Sequence, residues 1–156
     1  MSEGHLALIN RYYDGCSTGD VEMLLETLHP EVVHYFLSPN IGSKPVATAD
    51  HLARYWRKVQ RLIKGVWIVD NICESGSQAV IEWTLWWSPE GFHRRIATRG
   101  AEWFLIEGAQ IREIRSYYRQ EPFDTELDSF PYAERGYSLR RNEYSSIHQP
   151  QPGVNP

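Results

Sequence analysis

Apolar residues in the first part of the chain recur at the spacing of amphipathic helices. Residues 4–14 carry one apolar stripe, and residues 17–20 break it before a second short helix over residues 21–28. A third helix is predicted from about residue 48 to residue 63. The apolar stripe of this third helix consists of Leu52, Tyr55, Trp56, Val59 and Ile63.

The candidate β-strands are segments in which apolar and polar residues alternate with a period of two. The first follows the pair His29-Pro30, because proline disfavours a helical conformation in the residue before it. The predicted strands are residues 32–37, 66–74, 78–87, 94–106 and 110–118. Helices followed by a run of antiparallel strands predict an α+β fold.

The last predicted hairpin gives a specific register. If residues 107–111 close it, Glu102 lies opposite Ser116 and Phe104 lies opposite Ile114, all on one face of the sheet. That face is otherwise almost wholly apolar. We therefore expect Glu102 to be an acid enclosed by apolar side chains.

The preceding hairpin extends this apolar face. A loop at residues 88–93 places Trp83 opposite Thr98 and Leu85 opposite Ile96, with Glu82 opposite Arg99 on the other face. The large side chains expected on the outer face are Glu82, Arg99, Trp103 and Arg115. An outer face of this kind predicts a homodimer interface.

The composition indicates one domain without a nucleic-acid or membrane partner. A chain of 156 residues that is 42% hydrophobic can form a core and one enclosed cavity. The formal charge of -4 comes with no basic stripe of the kind that binds phosphates. No apolar run approaches the roughly 18 residues of a membrane span, and the N-terminus lacks the basic-then-apolar order of a signal peptide. We therefore expect a cytoplasmic protein.

No metal motif is present in the sequence. Cys16 and Cys73 form neither a disulfide framework nor a metal-ligand spacing, and the 6 histidines are scattered without an HxH or HExxH pattern. We therefore expect no structural metal.

The aromatic content is high and extends into the C-terminal part of the chain. Aromatic residues make up 13% of the sequence, which favours a pocket for an organic molecule. We predict a single domain over residues 1–120 and an extended tail over residues 121–156, whose first half docks on the domain or on a partner subunit. The aromatic residues that favour docking are Phe123, Phe130, Tyr132 and Tyr137.

Two segments resemble a known family. They are INRYYDGCSTGDVEMLLETLHPEVV near the start and RGAEWFLIEGAQIREIRSYY in the last hairpin. They are similar to the SnoaL-like and ketosteroid-isomerase-like proteins of the nuclear-transport-factor-2-like superfamily. The resemblance implies a cone-shaped curved sheet wrapped by three helices, a dimer, and a site in the cone interior. It also implies activities such as double-bond isomerisation, dehydration, aldol cyclisation or epoxide hydrolysis, although some members are not enzymes.

Individual positions can be carried over from this resemblance. Tyr12 falls where the isomerase has its oxyanion-hole tyrosine, and Glu102 falls where that enzyme keeps a protonated aspartic acid. Phe36 stands where the isomerase has its catalytic aspartate, so the resemblance does not extend to steroid isomerisation. The epoxide hydrolases of the superfamily need charged residues at positions occupied here by Ser116, Trp83 and Leu85.

Glu102 is the first candidate catalytic residue. Apolar neighbours would desolvate its carboxyl group and favour the neutral form, which can act as a general acid or as an oxyanion donor. A strand register shifted by one residue would instead turn Glu102 towards water or towards an arginine.

His34 is the candidate general base, because an imidazole titrates near neutral pH. The alternative is a hydrogen-bonded core histidine, with His51 on the third helix as a competing base. Tyr12 is the candidate oxyanion donor by resemblance, whereas Tyr13 lies closer to the apolar stripe and is assigned to the core.

These residues together predict a cofactor-independent isomerase, dehydratase or cyclase that acts on a small hydrophobic carbonyl compound. In this scheme His34 removes a proton, while neutral Glu102 and Tyr12 stabilise the oxyanion. Two alternatives remain open: a non-catalytic ligand-binding or dimerisation module, and an epoxide or ester hydrolase with Asp14 as partner carboxylate. The expected pocket lining is Phe36, Tyr55, Trp56, Trp83, Phe104, Ser116 and Tyr118.

Overall fold

The computed structural model describes residues 4–40 and 42–139. Three helices precede most of the sheet: α1 (Leu6–Thr18), α2 (Val21–Thr27) and α3 (Ala49–Ile63). The strands are β1 (Leu28–Tyr35), β2 (Val46–Ala47), β3 (Val66–Ser75), β4 (Gln78–Trp87), β5 (Ile96–Glu107) and β6 (Gln110–Tyr118). No helix among these described residues is long and apolar enough to cross a membrane.

The six strands form one curved, unclosed sheet in the order β2-β1-β6-β5-β4-β3. All neighbouring strands are antiparallel except β1 and β6, which run parallel. Helix α1 packs against β3, and α3 packs against β1, so the core lies between the helices and the inner face of the sheet. The prediction of an α+β fold with three helices on a curved sheet is confirmed.

Two elements differ from the prediction near the N-terminus. Helix α1 continues to Thr18, because Gly19 adopts a left-handed conformation with a φ of 70° and closes the last turn by donating to the Gly15 carbonyl. Strand β1 begins at Leu28, before Pro30, and its register with β6 shifts between Leu28 and Val33. Such an irregularity accommodates a proline, which cannot donate to the ladder. The two-residue strand β2 was not predicted.

The register of the last hairpin is confirmed. Glu102 pairs with Ser116 and Phe104 pairs with Ile114. The turn between them is short, and Gly108 and Ala109 both have positive φ angles of 58° and 62°. Two successive residues with positive φ are typical of tight hairpin turns, and Glu107 pairs with Gln110 across this one. An irregularity between Leu105 and Ile106 then shifts the register by one residue, which brings Glu102 opposite Ser116.

The register of the preceding hairpin was predicted wrongly by two residues. Trp83 pairs with Gly100 rather than with Thr98, which instead lies opposite Leu85. The reason is that β5 begins at Ile96, so the connecting loop is two residues longer than expected. Because side chains alternate with a period of two, this shift leaves every side chain on its predicted face.

The described part of the C-terminal segment lies on the outer face of the sheet. The Arg99 guanidinium sits 4.2 Å from the ring centroid of Tyr132 and donates to the Ser138 carbonyl at 2.6 Å. Tyr137 donates to Glu82, so Arg99 and Glu82 both bind this segment instead of pairing with each other. Residues 140–156 of the predicted tail lie outside the described residues.

Candidate active site

A cavity of about 190 Å³ opens on the inner face of the sheet, beneath α3. One carboxyl group, that of Glu102, contributes to a lining that is otherwise mostly aromatic and aliphatic. The lining residues are Tyr55, Trp56, Val59, Leu62, Ile63, Trp67, Trp83, Leu85, Trp87, Thr98, Glu102, Tyr118 and Gln120.

Glu102 is held from two sides by hydroxyl groups. Its side chain projects from the middle of β5 and is only 3% exposed. The Tyr13 hydroxyl, on α1, donates to Oε2 at 2.5 Å, and the Ser116 hydroxyl, on β6, donates to Oε1 at 3.0 Å. The cross-strand pairing of Glu102 with Ser116 places these two side chains together, while the packing of α1 brings Tyr13.

Burial controls the protonation of this carboxyl group. It raises the pKa of Glu102 from 4.5 to about 7, against the opposing effect of hydrogen bonds from Tyr13 and Ser116. The indole N–H of Trp83 also lowers this pKa, although it falls short of hydrogen-bond geometry. Near neutral pH the carboxyl group is therefore divided between its protonated and ionised forms.

His34 lies behind the site and outside the pocket lining. Its Nε2 is 2.5 Å from the Ser116 Oγ, and its ring stacks on Phe36 with centroids 4.1 Å apart. The side chain is fully buried, and burial lowers the pKa of His34 to about 3. A group of such low proton affinity is a weak base, so these features do not favour the predicted role of His34 as general base.

The two adjacent tyrosines of α1 are placed differently from their sequence assignment. Tyr13, which was assigned to the core, makes the hydrogen bond to Glu102. Tyr12 is fully buried, does not line the cavity, and its hydroxyl has no hydrogen-bond partner among the described residues. The placement of Tyr12 outside the cavity wall therefore does not favour its predicted role as donor to a substrate oxyanion.

The remaining candidates divide between the pocket and the core. Phe104 is fully buried against Tyr12 and Tyr13, and Phe36 packs on the far side of His34. His51 is exposed on α3, while Asp14 is buried and lies outside the pocket lining. The predicted lining residues found in the cavity wall are Tyr55, Trp56, Trp83 and Tyr118; those found behind it are Phe36, Phe104 and Ser116.

The comparison with known families agrees with this architecture. Residues 9–114, more than half of the chain, match the SnoaL-like domain. The chain belongs to the SnoaL-like family. No curated protein matches the chain.

Several solved structures resemble this SnoaL-like protein. A protein of unknown function with a cystatin-like fold from Methylobium petroleophilum is 29% identical, with a TM-score of 0.65, and the match covers 94% of this chain and 95% of that one. A candidate SnoaL-like polyketide cyclase from Jannaschia is 16% identical, with a TM-score of 0.61 and coverage of 76% and 90%. A candidate ketosteroid isomerase from Kribbella flavida is 13% identical, with a TM-score of 0.61 and coverage of 80% and 84%. The last two show the shared fold alone.

Sequence reasoning missed several residues of the SnoaL-like pocket. Trp87 lies two residues beyond Leu85 on the same strand face, so the alternation from Trp83 onward could have identified it. Trp67 pairs with Leu85 across the sheet and lines the same cavity. Gln120 follows the last strand, where the pattern gives no signal.

Gly100 is a further residue whose role was not foreseen. A Cβ atom at this position would lie 2.6 Å from the Trp83 indole and 2.9 Å from the Tyr118 Cβ. The absence of a side chain at Gly100 thus allows the Trp83 indole to pack closely against the β5 backbone. A glycine inside a predicted strand is the available signal, since it often marks such a close approach.

A second cavity of about 490 Å³ lies on the outer face, between the sheet and the C-terminal segment. It is larger than the inner one, but its polar groups hold the segment in place: Glu82 accepts from Tyr137, and Asp124 accepts from the Ala97 backbone N–H. The carboxyl group of Glu102, whose pKa is raised by burial, faces the inner cavity, which is therefore the better candidate site.

Residues 4–40 and 42–139 contain no cluster of side chains that could hold a metal ion.

Proposed function

We propose that this SnoaL-like protein is a cofactor-independent enzyme that transfers a proton next to the carbonyl group of a small hydrophobic substrate. Isomerisation, dehydration and ring closure all begin with such a transfer. The observation that carries the proposal is the Glu102 carboxyl group, which faces an aromatic cavity and has a pKa of about 7. A carboxyl group tuned to neutral pH can both take up and return a proton.

Glu102 takes the role of general base in this proposal, in place of His34. The hydroxyl groups of Tyr13 and Ser116 donate to it and so favour the ionised form, which can accept a proton. Burial favours the neutral form, which can donate one. The balance of the two effects suits a group that changes protonation state within each turnover.

Two phenol groups of the lining are suited to bind the substrate oxygen. Burial raises the pKa values of Tyr55 and Tyr118, so both hydroxyls remain protonated at neutral pH. Neither hydroxyl has a hydrogen-bond partner among residues 4–40 and 42–139. Hydroxyl donors aimed at a carbonyl oxygen stabilise the negative charge that develops there during proton removal.

The proposed step is balanced without a coenzyme. The Glu102 carboxylate accepts the proton from the carbon next to the carbonyl, the C–H electron pair becomes a C=C bond, and the carbonyl π pair moves onto the oxygen. The electron pair on oxygen then reforms the carbonyl group while the carboxylic acid returns the proton. Protonation of the far carbon of the conjugated enolate gives the conjugated isomer, and protonation of a β-hydroxyl group, whose C–O bond breaks as the C=C bond forms, gives water and an α,β-unsaturated carbonyl compound.

The size of the cavity favours a substrate with one ring. A volume of about 190 Å³ is only a little larger than the roughly 150 Å³ of an engineered cavity that binds benzene. Pockets for drug-sized molecules usually occupy about 300–1,000 Å³. We therefore propose a monocyclic or short-chain carbonyl compound rather than a steroid.

The unconjugated isomer of cyclohexenone is a direct probe of this proposal. We expect the protein to convert it to the conjugated enone, followed by ultraviolet absorbance, and to exchange its α-hydrogens in deuterium oxide, followed by NMR. An unconjugated steroid ketone should react far more slowly, because it exceeds the cavity. If the small ketone shows no catalysed conversion or exchange, whether or not it binds, the proposal is wrong, and binding alone would indicate a receptor.

We also propose that two copies associate through the uncovered part of the outer sheet face. Tyr35, Arg115 and Trp103 lie in one cross-strand row there, and both aromatic side chains are exposed. Arg115 pairs with Glu113 at 2.5 Å, so the surface carries both charges and can complement itself about a twofold axis.

Replacing Trp103 with glutamate should convert this dimer to a monomer, because it introduces a charge at the centre of the contact. Analytical ultracentrifugation of the wild type and the variant measures the change. Phe92→Glu is the matched control, since Phe92 is also exposed but lies in the loop between β4 and β5. A monomeric wild-type protein, or a dimeric Trp103→Glu variant, would contradict this interface.

A further inference from the structure

A chain of hydrogen bonds runs behind the candidate base, on the side away from the cavity. It leads from His34 Nε2 to Ser116 Oγ over 2.5 Å, and from Ser116 Oγ to Glu102 Oε1 over 3.0 Å. All three side chains are buried, with exposures of 0%, 3% and 3%. Of the three, Glu102 alone lines the cavity, so His34 and Ser116 do not reach the substrate and any effect they have must pass through Glu102.

The number of hydrogen atoms restricts this chain to two arrangements. Ser116 has one hydroxyl hydrogen, so it can donate either to Glu102 or to His34. If Ser116 donates to Glu102, His34 must carry a hydrogen on Nε2 and donate it to Ser116. If Ser116 donates to His34, a neutral His34 must carry its hydrogen on Nδ1, and Glu102 must carry a proton that points towards Ser116.

The surroundings of the imidazole favour the first arrangement. His34 Nδ1 is buried and has no hydrogen-bond partner among the described residues. A hydrogen on Nδ1 would be a buried donor without an acceptor, and orphaned donors are the rarer kind of unsatisfied group in proteins. A buried Nδ1 that carries no hydrogen costs less free energy than a buried N–H without an acceptor. Protonation of both nitrogens is also disfavoured, because burial lowers the pKa of His34 to about 3.

The oxygen atoms of Glu102 are then engaged by donors on the protein side. Tyr13 donates to Oε2, and Ser116 donates to Oε1. A hydrogen cannot be added to Glu102 along either of these contacts while both hydroxyls point towards it. A hydrogen can therefore be added only at the lone pairs that Tyr13 and Ser116 do not use. Because Glu102 borders the cavity, these lone pairs are accessible from the cavity side.

We propose that His34 is a positioning residue which, through Ser116, keeps a donor pointed at Glu102 and so confines the exchangeable proton of Glu102 to the cavity side. This inference rests on the proposed function, since it describes how the proposed base is oriented. It explains why a histidine outside the pocket is joined to the carboxyl group by one serine. The groups that face Glu102 from the packed elements are Tyr12, Tyr13 and Cys16 of α1, His34 of β1, and Ser116 and Tyr118 of β6.

The tautomer of His34 tests the orientation without any substrate. We expect ¹⁵N NMR of the imidazole to show hydrogen on Nε2, and not on Nδ1, at one pH below and one pH above the pKa of Glu102, which is about 7. A hydrogen on Nδ1, or a change of tautomer between the two pH values, would overturn the proposal. This measurement uses the wild-type protein, so it does not depend on whether a variant folds.

Two variants at Ser116 test the effect on the base. Ser116→Ala removes a donor from Glu102, so we expect the midpoint of the pH profile of kcat/KM for the unconjugated cyclohexenone to rise by about one pH unit, with kcat lowered about tenfold and KM little changed. Ser116→Thr keeps the hydroxyl group and should restore the wild-type midpoint. Thr98→Val is the control for the titration of the Glu102 carboxyl group, which ¹³C NMR measures directly. Thr98 lines the same cavity but accepts a hydrogen bond from Trp87 and makes none to Glu102, so this variant should leave the pKa of Glu102 unchanged.

The results separate the two proposals. If Glu102→Gln is inactive but Ser116→Ala keeps the wild-type midpoint, the positioning role is wrong and the proposed function stands. If the wild-type protein does not catalyse the reaction while His34 carries hydrogen on Nε2 at both pH values, the hydrogen-bond chain stands and the proposed function is wrong.

Discussion

Replacing Glu102 with glutamine is expected to lower kcat for the unconjugated cyclohexenone by about a hundred- to ten-thousand-fold, the usual contribution of a positioned acid or base. Glutamine has nearly the same shape, and its amide oxygen can still accept the hydrogen bond from Tyr13. It cannot take up a proton at any working pH. The ultraviolet assay of enone formation measures kcat, and circular dichroism with thermal unfolding establishes that the variant is folded.

Glu107→Gln is the matched control for this variant. Glu107 lies on the same strand, but its carboxyl group is exposed and pairs with Arg112 at 3.5 Å. It should retain wild-type kcat. Full activity in Glu102→Gln would show that another group carries the proton, whereas an equal loss in both variants would indicate a general effect of losing a carboxyl group from β5.

The pairing of Glu102 with Ser116 was predicted correctly from the sequence, although the turn alone does not fix its register. The turn at Gly108 and Ala109 pairs Glu107 with Gln110, which by itself would place Glu102 opposite Arg115. The irregularity between Leu105 and Ile106 shifts the register by one residue and gives the pairing with Ser116 that was predicted for a hairpin closed by residues 107–111. The sequence does not fix the length of the preceding loop. Its length was predicted two residues too short, and only the period of two kept Trp83 and Leu85 on the correct face.

The choice between Tyr12 and Tyr13 could not be made from the sequence. Adjacent residues of a helix point about 100° apart, which normally separates a buried from an exposed position. Helix α1 is packed by the sheet on one side and by α2 and α3 on another, so both tyrosines are buried. Which of them reaches Glu102 depends on how closely α1 packs against the sheet, and no local sequence pattern indicates that distance.

The environment of His34 depends equally on tertiary packing. Its strand face was identified correctly as inward. However, Phe36 stacks on one side of the ring and Ser116 takes the Nε2 contact, so no face of the imidazole lines the cavity. The low pKa of His34 results from this burial. An imidazole that is suited to catalysis by its usual pKa is thereby converted into a neutral hydrogen-bonding group.

The same carboxyl group should make the folded protein less stable as pH rises. The pKa of Glu102 is about 7 in the folded protein and close to its ordinary value of 4.5 in the unfolded chain. Between these values the folded state binds more protons than the unfolded state, so the free energy of unfolding decreases as pH increases. The contribution of Glu102 is fully present below pH 4.5 and is lost as pH passes through about 7.

Glutamine at position 102 does not titrate, so the stability of Glu102→Gln relative to the wild type should rise by on the order of 3 kcal/mol between pH values below 4.5 and above 7. Urea unfolding of both proteins across this range measures the effect. His34 also titrates, but it is present in both proteins and largely cancels in the difference. A difference that stays constant with pH would mean that Glu102 is ionised as readily in the fold as in the open chain, which would contradict the pKa of about 7 on which its proposed role rests. A stabilised but inactive variant would show that the proton affinity required for activity is maintained at the expense of stability, as at many active sites.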